Sequence, residues 1–507
     1  MHAARGEQVS FQVAFRTEAE HRKVAAAVNG PDQLAVQLRR VGCVPMPHHN
    51  TDVSLDELDG VGHVPGLVPD PLFPEQAVHA GPFETNAFWV TVRVPQDAKP
   101  GSYPVAVTLT AEGEEPQTLT TKVRVHKAVA APRRDFPVTH WFYCDALCDW
   151  YKVQPFEEAF WPLVDKYLAD CAIHSQDTAH VPLFTPPTDG VKRPNQLLDV
   201  RRDGDRYLFD WTLVRRYAEH ARSAGLSRIE WPHLFTQWGA KYAIRIYEGH
   251  GGSERLLWDP ETPGASPTYR SFLSQFLPEF KRFLDREGLF DGSFFHLSDE
   301  PHGEDHLANY RAARQMLREL ASWMKVMDAL SDISFAREGL TDIPIPLIRV
   351  APEFAREGYP AWVYHWGGPR GRYAQRELDT PLVKTRMFGW LFYRLRARGF
   401  LHWGYNYWYE SQKRNLIDPY RVTDGLRWPD WAYGDTFVVY PGDDGPVDSL
   451  RWEVFAEGLQ DYALLQTAGI DPDDPMLAGI QDYAEFPRSE RWIEERRGEV
   501  LAKLDRG

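Results

Sequence analysis

Short runs of alternating apolar and polar residues fill the first 130 positions of the chain. The runs are VSFQVAF, LAVQLRRV, AFWVTVRV, GSYPVAVTLTA and QTLTTKVRV, and Gly, Pro and Asp separate them. A period of two residues with turn signals between the runs is typical of antiparallel strands. The pattern therefore predicts a β-sandwich over residues 1–132, which ends in the linker-like segment KAVAAPRRDFP.

After residue 137 short apolar runs alternate with longer helical ones. The short runs are VTHWFYCD, TAHVPLF, IEWPHLF, SFFHLSDE, MKVMDAL, IPIPLIRV, AWVYHW and FLHWGYNYW. About eight strands with helices between most of them indicate repeated βα units, and hence an α/β fold. Because no glycine fingerprint follows the first strand, a dinucleotide-binding sheet is disfavoured. We predict a TIM-like (β/α)8 barrel over residues 133–445 and a C-terminal helical segment over 446–507 that packs on it.

Composition and charge narrow the range of partners. The chain has 507 residues and a net charge of −15, without a run rich in Lys or Arg. Such a chain repels phosphate backbones, so we expect no nucleic-acid partner. No stretch approaches about 18 uninterrupted apolar residues, so we expect no membrane span. The first residues lack the pattern of a secretion signal, which predicts a cytoplasmic protein unless a leader was removed.

The four cysteines point to neither a disulfide framework nor a zinc site. They are Cys43, Cys144, Cys148 and Cys171, which is few for so long a chain. Cys144 and Cys148 have zinc-like C-x3-C spacing, but no second pair follows at the distance that a zinc site requires. We predict no metal and no cofactor.

The residues expected at the ends of the barrel strands are acidic and aromatic. In a barrel of this kind the active site forms at the C-terminal ends of the strands. The candidates for substrate binding are Asp145, His233, Gln237, Trp238, Asp328, Tyr364, Trp403, Tyr405 and Asn406. Carboxylates accept hydrogen bonds from hydroxyls and aromatic rings cover a sugar face, so the set suits a carbohydrate. For Asp145 and Asp328 a helix N-cap is an equally good interpretation.

Two acids, Asp299 and Glu300, stand side by side where the apolar run SFFHLSDE ends. Neighbouring side chains of a strand point to opposite faces, but this strand is ending. We expect Pro301 to hold Glu300 in an extended conformation, so that both carboxylates reach the mouth of the barrel. Two close acids cannot both ionise cheaply, so the more buried one should hold a proton. A protonated acid beside an ionised one is what glycosidic cleavage requires.

The adjacency of Asp299 and Glu300 restricts the possible mechanisms of glycosidic cleavage. Neighbouring residues cannot easily lie about 5–5.5 Å apart on opposite sides of a scissile bond, as the usual acid and nucleophile do. Either a distant acid such as Asp328 or Asp145 is the nucleophile, or the carbonyl oxygen of a 2-acetamido group on the substrate attacks. The second scheme explains the adjacency. The nearby HGEDH (302–306) has its glutamate in the wrong place for a metalloprotease motif and is better interpreted as a solvated helix start.

Six blocks of the sequence resemble glycoside hydrolase family 123 and its wider relatives. They are HLSDEPHGEDH, PLFTPPTDGVKRPNQLLDV, HLFTQWGAKYAIRIYE, DALSDISFAREGL, FLHWGYNYWY and GDTFVVYPGDDGPVDSLRWEVFAEGLQDY, between about Val138 and Leu465. The resemblance implies a retaining, exo-acting β-N-acetylgalactosaminidase with a β-sandwich before a TIM-type barrel. It also implies substrate-assisted catalysis by an Asp-Glu pair, matched here by Asp299 and Glu300.

On this interpretation each residue has an expected role. Glu300 is the general acid and then the base, and Asp299 accepts a hydrogen bond from the acetamido N–H. Trp403 is expected to stack on the sugar ring, and Tyr405 to bind the acetamido oxygen. The expected partner is a small carbohydrate or a glycan terminus, and assembly into a homo-oligomer stays open. Two alternatives also stay open: a β-glycosidase for N-acetylglucosaminides or plain hexosides, and a non-catalytic carbohydrate-binding protein on the same scaffold.

Overall fold

The computed structural model describes residues 1–18, 20–50, 53–58, 64–187, 193–250 and 252–506. Positions 188–192 of the block PLFTPPTDGVKRPNQLLDV therefore lie outside the described residues. All four cysteines are free thiols, as expected. No described helix is long and apolar enough to cross a membrane.

The N-terminal region is built from nine strands. They are β1 (His2–Arg5), β2 (Gln8–Arg16), β3 (Arg22–Asn29), β4 (Ala35–Met46), β5 (Gly66–Phe73), β6 (Ala77–Ala80), β7 (Thr85–Arg93), β8 (Gly101–Ala111) and β9 (Gln117–Val129). They form two sheets, in the orders β1-β9-β8-β3-β6 and β2-β7-β4-β5. The five alternating runs of the sequence are β2, β4, β7, β8 and β9, and buried residues of both sheets, such as Val90 and Val107, form one hydrophobic cluster.

Fourteen further strands are described in the rest of the chain. They are β10 (Val138–His140), β11 (Thr178–His180), β12 (Asp199–Asp203), β13 (Arg206–Asp210), β14 (Arg228–Glu230), β15 (Tyr247–Glu248), β16 (Arg255–Leu256), β17 (Ser293–Phe294), β18 (Met327–Ala329), β19 (Ile343–Ile345), β20 (Val363–Tyr364), β21 (Phe400–His402), β22 (Val439–Pro441) and β23 (Pro446–Asp448). Eight of them, short and parallel, are the eight runs of the sequence: β10, β11, β14 and β17 to β21.

These eight strands pair in three ladders rather than in one closed sheet. The ladders are β11-β14-β17, β18-β19 and β20-β21-β10. Single parallel bridges, Phe295 with Val326 and Leu347 with Tyr364, connect neighbouring ladders. Between β10 and β11 the described link is one backbone hydrogen bond, from Asp177 N to the oxygen of Val138 at 3.4 Å. The region is therefore an α/β fold whose strand order agrees with the sequence, with ladders that stop short of a closed ring.

Helices separate most of these strands. They are α1 (Cys144–Tyr151), α2 (Trp161–Ile173), α3 (Thr212–Ala224), α4 (Pro267–Arg286), α5 (Gly303–Leu320), α6 (Ser334–Arg337), α7 (Ala351–Arg356), α8 (Leu382–Arg386), α9 (Phe388–Arg394), α10 (Leu450–Thr467) and α11 (Glu490–Leu504). The segment LVKTRMFGWLFYRLRARG, whose pattern is helical throughout, forms two helices, α8 and α9. As expected, a helix, α5, begins within HGEDH.

Helix α10 connects the two regions. Fifteen of its eighteen residues are buried, which is typical of a helix surrounded by protein. It approaches α9 so closely that a Cβ on Gly389 would lie 1.7 Å from the oxygen of Gly458. Its Glu453 accepts a hydrogen bond from Arg39 of β4 at 2.6 Å. Helix α10 also shares a hydrophobic cluster with the parallel strands. The domain boundaries at 132 and 445 stay predictions.

A small inserted sheet was not predicted. Strands β12, β13, β15 and β16 pair in the order β13-β12-β15-β16, in segments that follow β11 and β14. The hairpin between β12 and β13 pairs Asp203 with Arg206, and Gly204 has a φ of +60° in the turn. An alternating run with a D-G pair in VRRDGDRYLF is the signal that indicates this hairpin.

Candidate active site

Beyond the strand ends, the segments that follow β14 and β17 run side by side. Phe235 N donates to the oxygen of Leu297 at 2.8 Å, and Trp238 N donates to the oxygen of Asp299 at 2.8 Å. These bonds continue the parallel pairing past the end of the ladder. As a result, Gln237 and Trp238 lie beside Asp299, where the sequence predicted part of the substrate site.

The hydroxyl of Ser298 fastens the two segments together. It donates to the oxygen of Thr236 at 2.8 Å and accepts from the backbone N–H of Ala240 at 3.1 Å. Between them, Gly239 has a φ of +94°, and a Cβ there would lie 2.4 Å from the ring of His306. Only glycine permits this conformation and approach without strain. The loop over residues 236–240 is therefore fixed against both the acid pair and the start of α5.

The acid pair lies at the rim formed by β17. Asp299 is 4% exposed, and its Oδ2 accepts a hydrogen bond from Gln237 Nε2 at 3.0 Å. Glu300 is half-buried, and its Oε1 accepts a hydrogen bond from the hydroxyl of Tyr364 at 2.8 Å. Burial, the charge of Glu300 and, more weakly, that of Asp299 raise the pKa of Tyr364 well above its usual value. Tyr364 and Gln237, from two different rim segments, therefore each hold one carboxylate of the pair.

The conformation of Glu300 differs from the expected one. Its φ is +42°, in the left-handed region, so the expectation that Pro301 holds it extended is wrong. A non-glycine residue there costs about 1–2 kcal/mol, and the surrounding structure must hold it in place. Glu300 N donates to the oxygen of Ala329 at 3.0 Å, and the His302 ring donates to the oxygen of Glu300 at 3.1 Å. The chain turns within this one residue, directly after Asp299.

Two tryptophans are exposed beside the pair. Trp238 is 47% exposed and directly follows Gln237, the partner of Asp299. Trp366 is 37% exposed and lies two residues beyond Tyr364, the partner of Glu300. Large aromatic rings are seldom left in water without a use, so both offer apolar faces at the rim.

Beneath the pair lies a buried group of charged residues centred on His296. Its Nε2 donates to Glu230 Oε1 at 2.8 Å, and its Nδ1 donates to Asp328 Oδ1 at 3.2 Å. Burial alone would lower the pKa of His296, but hydrogen bonds and charges from Asp328 and Glu230 raise it to about 9. His296 is therefore an imidazolium between two carboxylates. Glu230 also accepts from Trp141 Nε1 at 2.8 Å and from the hydroxyl of Thr139.

The two acids considered as distant nucleophiles are both buried away from the rim. Asp328 lies within β18 and accepts hydrogen bonds from Leu297 N at 3.0 Å, Ser298 N at 3.3 Å and the Tyr310 hydroxyl at 2.5 Å. It therefore orders the backbone that leads into Asp299. Asp145 is also buried, in the first turn of α1, because the first strand ends earlier than expected. An acid in the first turn suits the helix dipole.

His233 lies in the core below the rim. Its ring packs 4.3 Å from the ring of His296 and 5.4 Å from that of Trp141, centre to centre. Burial and the charges of His296 and His180 lower its pKa well below the usual value, so it is neutral. Its Nε2 has no hydrogen-bond partner among the described residues. The structure places this residue in the layer that supports the acid pair.

Of the three candidates that follow β21, two are fully engaged in the core. The Tyr405 hydroxyl donates to Asp170 Oδ2 of α2 at 2.6 Å, and no part of the side chain is exposed. Asn406 accepts from Tyr143 N at 2.8 Å and donates to the oxygen of Tyr143 at 3.1 Å. The structure does not bring either residue to the acid pair, because both face α1 and α2.

Trp403 keeps a half-buried ring. Its Nε1 donates to Asp435 Oδ2 at 2.9 Å, and its ring contacts those of Tyr407 and Trp431. Asp435 also accepts from His402 Nε2 at 3.2 Å. These contacts fix the orientation of the indole, and part of its surface stays available for stacking.

Three groups of described residues bring metal-ligand atoms within 4.8 Å of one another. They are His233, His296 and Asp328; His365, His402 and Asp435; and Asp170, His174 and Asp448. His296 Nδ1 lies 3.2 Å from Asp328 Oδ1, and His174 Nδ1 lies 2.9 Å from Asp170 Oδ1, so these histidines pair with carboxylates of their own groups. His402 Nδ1 accepts from Gly404 N, so its Nε2 carries the hydrogen that points at Asp435. The donor sets suit hydrogen-bonded clusters better than metal ligation.

Several residues of this region were missed by the sequence reasoning. They are Trp141, Glu230 and His296. Glu230 and His296 are charged residues inside the apolar runs IEWPHLF and SFFHLSDE, and a charged residue inside such a run is the available signal for a buried polar network.

Comparison with known proteins identifies the family. A model of the catalytic domain of glycoside hydrolase 123 matches residues 141–468, which is well over half of the chain. The chain belongs to glycoside hydrolase family 123. A search of curated proteins finds no match.

Solved structures include a relative with the same fold. A family 123 glycoside hydrolase from Clostridium perfringens, studied for glycolipid glycan hydrolysis, has a TM-score of 0.74 and 14% identity, covering 100% of this chain and 92% of that one. A GH5 xyloglucanase from Bacteroides ovatus has a TM-score of 0.31 and 9% identity, covering 90% and 98%. A GH2 β-galacturonidase from Eisenbergiella tayi has a TM-score of 0.35 and 10% identity, covering 90% and 90%. Only the first likeness is close enough to support a shared fold.

Proposed function

We propose that this family 123 glycosidase is an exo-acting, retaining β-N-acetylgalactosaminidase that works through an oxazoline intermediate. The observation that carries the proposal is that two adjacent residues, Asp299 and Glu300, present carboxylates that Gln237 and Tyr364 hold by hydrogen bonds. Carboxylates so arranged are poorly suited to flank a scissile bond from opposite sides. A nucleophile supplied by the substrate's own 2-acetamido group removes that requirement.

The surroundings of the pair support this choice over a two-carboxylate mechanism. Asp328 has its oxygens occupied by core donors, and Asp145 is buried in α1. Neither has a path to an anomeric carbon at the rim. Glu300, by contrast, is only half-buried, at the end of the segment that follows β17.

In the proposed first step the acetamido oxygen attacks the anomeric carbon as the glycosidic bond breaks. Glu300 gives its proton to the leaving oxygen, which keeps the bonding electrons. Asp299, oriented by Gln237, accepts a hydrogen bond from the acetamido N–H and stabilises the positive charge that develops there. In the second step Glu300 takes a proton from water, whose oxygen attacks the same carbon and opens the oxazoline with net retention.

The substrate class rests on the same surface. Trp238 and Trp366 offer apolar faces for a pyranose and its neighbour. The Clostridium perfringens relative acts on glycolipid glycans, so we propose a terminal sugar of a glycan as the substrate. We also infer that the eight parallel strands form a TIM-like barrel and that the two N-terminal sheets form a sandwich, supported by strand order and the shared cluster.

A panel of 4-nitrophenyl β-glycosides tests the sugar and the mechanism together. We expect turnover of the N-acetylgalactosaminide, with weaker or no turnover of the N-acetylglucosaminide and scarcely any of the galactoside. Ready hydrolysis of the galactoside would contradict substrate assistance. Preference for the N-acetylglucosaminide would change the sugar and keep the mechanism. Binding without turnover of any glycoside would favour the carbohydrate-binding alternative.

A stable mimic of the intermediate gives an independent test. An N-acetylgalactosamine-derived thiazoline should bind and inhibit competitively, and a complex should place its ring nitrogen against Asp299. The released sugar should initially be the β-anomer by NMR. An initial α-anomer, or a thiazoline that binds no tighter than N-acetylgalactosamine, would overturn the mechanism.

A further inference from the structure

The Tyr364 phenol has one hydrogen to give, and its acceptor in the structure is Glu300 Oε1, at 2.8 Å. Tyr364 is buried at the end of β20, and the Ser331 hydroxyl is a second hydrogen-bond partner of its oxygen. Burial and the neighbouring charge of Glu300 keep the phenol protonated, because they raise its pKa well above the usual value. Tyr364 is therefore a hydrogen-bond donor to Glu300.

We propose that Tyr364 is a positioning residue that selects which oxygen of Glu300 carries the acid's proton. This inference rests on the proposed role of Glu300 as general acid. A carboxylic acid accepts hydrogen bonds best at its carbonyl oxygen and carries its proton on the other one. With the phenol hydrogen directed at Oε1, the proton resides on Oε2.

The backbone of Glu300 is held in place as well. Glu300 N donates to the oxygen of Ala329, and the His302 ring donates to the oxygen of Glu300. A backbone held on both sides, at a φ of +42°, fixes the point from which the Glu300 side chain extends. The phenol then fixes the remaining rotation of the carboxyl group. Oε2 becomes the oxygen that delivers the proton to the leaving group.

The proton balance follows from this assignment. As the glycosidic C–O bond breaks, the proton on Oε2 moves to the leaving oxygen, and Glu300 becomes a carboxylate that still accepts the phenol hydrogen at Oε1. When water attacks, Oε2 takes one of its protons and the acid is restored. Tyr364 keeps its own hydrogen in both steps.

The test compares Tyr364→Phe with the wild-type enzyme on two leaving groups. For a substrate with an alkyl or sugar leaving group, we expect kcat/KM to fall about 10- to 100-fold, a part of what general acid catalysis contributes. For the 2,4-dinitrophenyl glycoside, whose leaving group needs no proton, the fall should be less than about three-fold. Equal losses on both substrates would overturn the proposal.

The pH profile supplies a readout that a purely structural role does not move. The phenol stabilises the ionised form of Glu300, so its removal should raise the pKa of this acid. The alkaline limb of kcat/KM should therefore move to higher pH by about half to one unit in Tyr364→Phe. An unchanged alkaline limb would contradict the proposal.

A double variant separates this inference from the proposed function. In Glu300→Gln, adding Tyr364→Phe should cause no further loss on the poor leaving group, and additive losses would overturn the proposal. If Glu300→Gln itself shows no dependence on the leaving group, the proposed function fails instead. Thermal unfolding checks that each variant is folded. Should Tyr364→Phe not fold, Ser331→Ala provides the same pH test, with a smaller shift in the same direction and no shift as the contrary result.

Discussion

The sequence predicted site residues after two of the parallel strands, β17 and β21. The structure places the side chains at these two rims differently. The β17 rim carries Asp299 and Glu300, with Trp238 exposed beside them and Glu300 in a left-handed conformation. The β21 rim carries Tyr405 and Asn406, both fully buried and hydrogen-bonded to neighbouring helices or their flanks. Both rims have polar and aromatic residues after a short apolar strand. Exposure and backbone strain distinguish the acid pair and its neighbour Trp238 from Tyr405 and Asn406.

The two rims differ in what their hydrogen bonds do: at one they stabilise the fold, and at the other they orient carboxylates. At β21, every polar group of the two residues has a protein partner, which stabilises the fold and leaves nothing for a ligand. At β17, Gln237 and Tyr364 donate hydrogen bonds that orient the two carboxylates. Orientation of reactive groups at the expense of local strain is what an active site requires.

The largest expected effect is on the β17 rim. Asp299→Asn should lower kcat on an N-acetylgalactosaminide by about 10²- to 10³-fold, because a neutral amide no longer stabilises the charge on the acetamido group. Steady-state kinetics measure this loss, and unchanged thermal unfolding shows that the fold is intact. The matched control is Glu304→Gln, an exposed acid in the first turn of α5, which should keep full activity. If Asp299→Asn kept the wild-type kcat, Asp299 would not take part in catalysis, and the proposed difference between the two rims would be wrong.

The second effect is on the buried support of that rim. His296→Ala leaves Glu230 and Asp328 without their cation, and we expect a loss of about 3–5 kcal/mol in the free energy of unfolding. Denaturant titration measures it. His79→Ala, which removes an exposed histidine of β6, is the control and should change stability by less than about 0.5 kcal/mol.

The charge on His296 also predicts a pH dependence. Its pKa is raised from 6.5 to about 9, so its stabilising contribution is complete below pH 6.5 and is lost as the pH rises through 9. The full contribution is about 3 kcal/mol. The difference in unfolding free energy between wild type and His296→Gln should shrink between pH 6.5 and 9. A constant difference would show that His296 is neutral in the folded state.

A smaller effect is expected at the β21 rim. Tyr405→Phe removes a hydrogen bond to the buried carboxylate of Asp170, which should cost about 1–3 kcal/mol of stability. The kcat and KM of the folded variant should stay unchanged. Tyr103→Phe, which loses a surface hydrogen bond to Lys99, is the control and should scarcely change stability. A raised KM in Tyr405→Phe would restore its expected contact with the acetamido group.

The smallest effect concerns the exposed ring beside the pair. Trp238→Ala should raise KM about three- to ten-fold with kcat nearly unchanged, since stacking contributes about 0.5–1.5 kcal/mol. Stability should change little, because the ring is 47% exposed. Leu119→Ala on β9 removes another exposed apolar side chain and should leave both constants unchanged. An unchanged KM in Trp238→Ala would mean that the ring does not contact the substrate.

Much of the fold and part of the site were predictable from the sequence. Eight short parallel strands occur where eight apolar runs were seen, and the alternating runs of the first region are five of its nine strands. The acid pair at the end of β17 was found because two adjacent charges after an apolar run are unusual. The inserted sheet and the split of α8 from α9 were missed, since short irregular elements depend on tertiary contacts.

Side-chain direction beyond a strand end was the main source of error. Period-two alternation holds only within a strand, and strands of two or three residues leave most rim residues in loops. Tyr405 and Asn406 therefore turned toward helices, and Asp328 turned into the core. Glu300 took a left-handed conformation that the following proline gave no reason to expect.

By itself, the sequence determined the order of the strands, the family and the adjacency of the two acids, because these follow from local patterns and covalent neighbours. The tertiary structure alone decided which side chains reach the rim. It also decided charge: His296, between two carboxylates, is a cation, whereas His402 is neutral because burial and then Arg376 and Arg451 lower its pKa. The charge of a buried histidine depends on groups distant in sequence, and only folding brings those groups together.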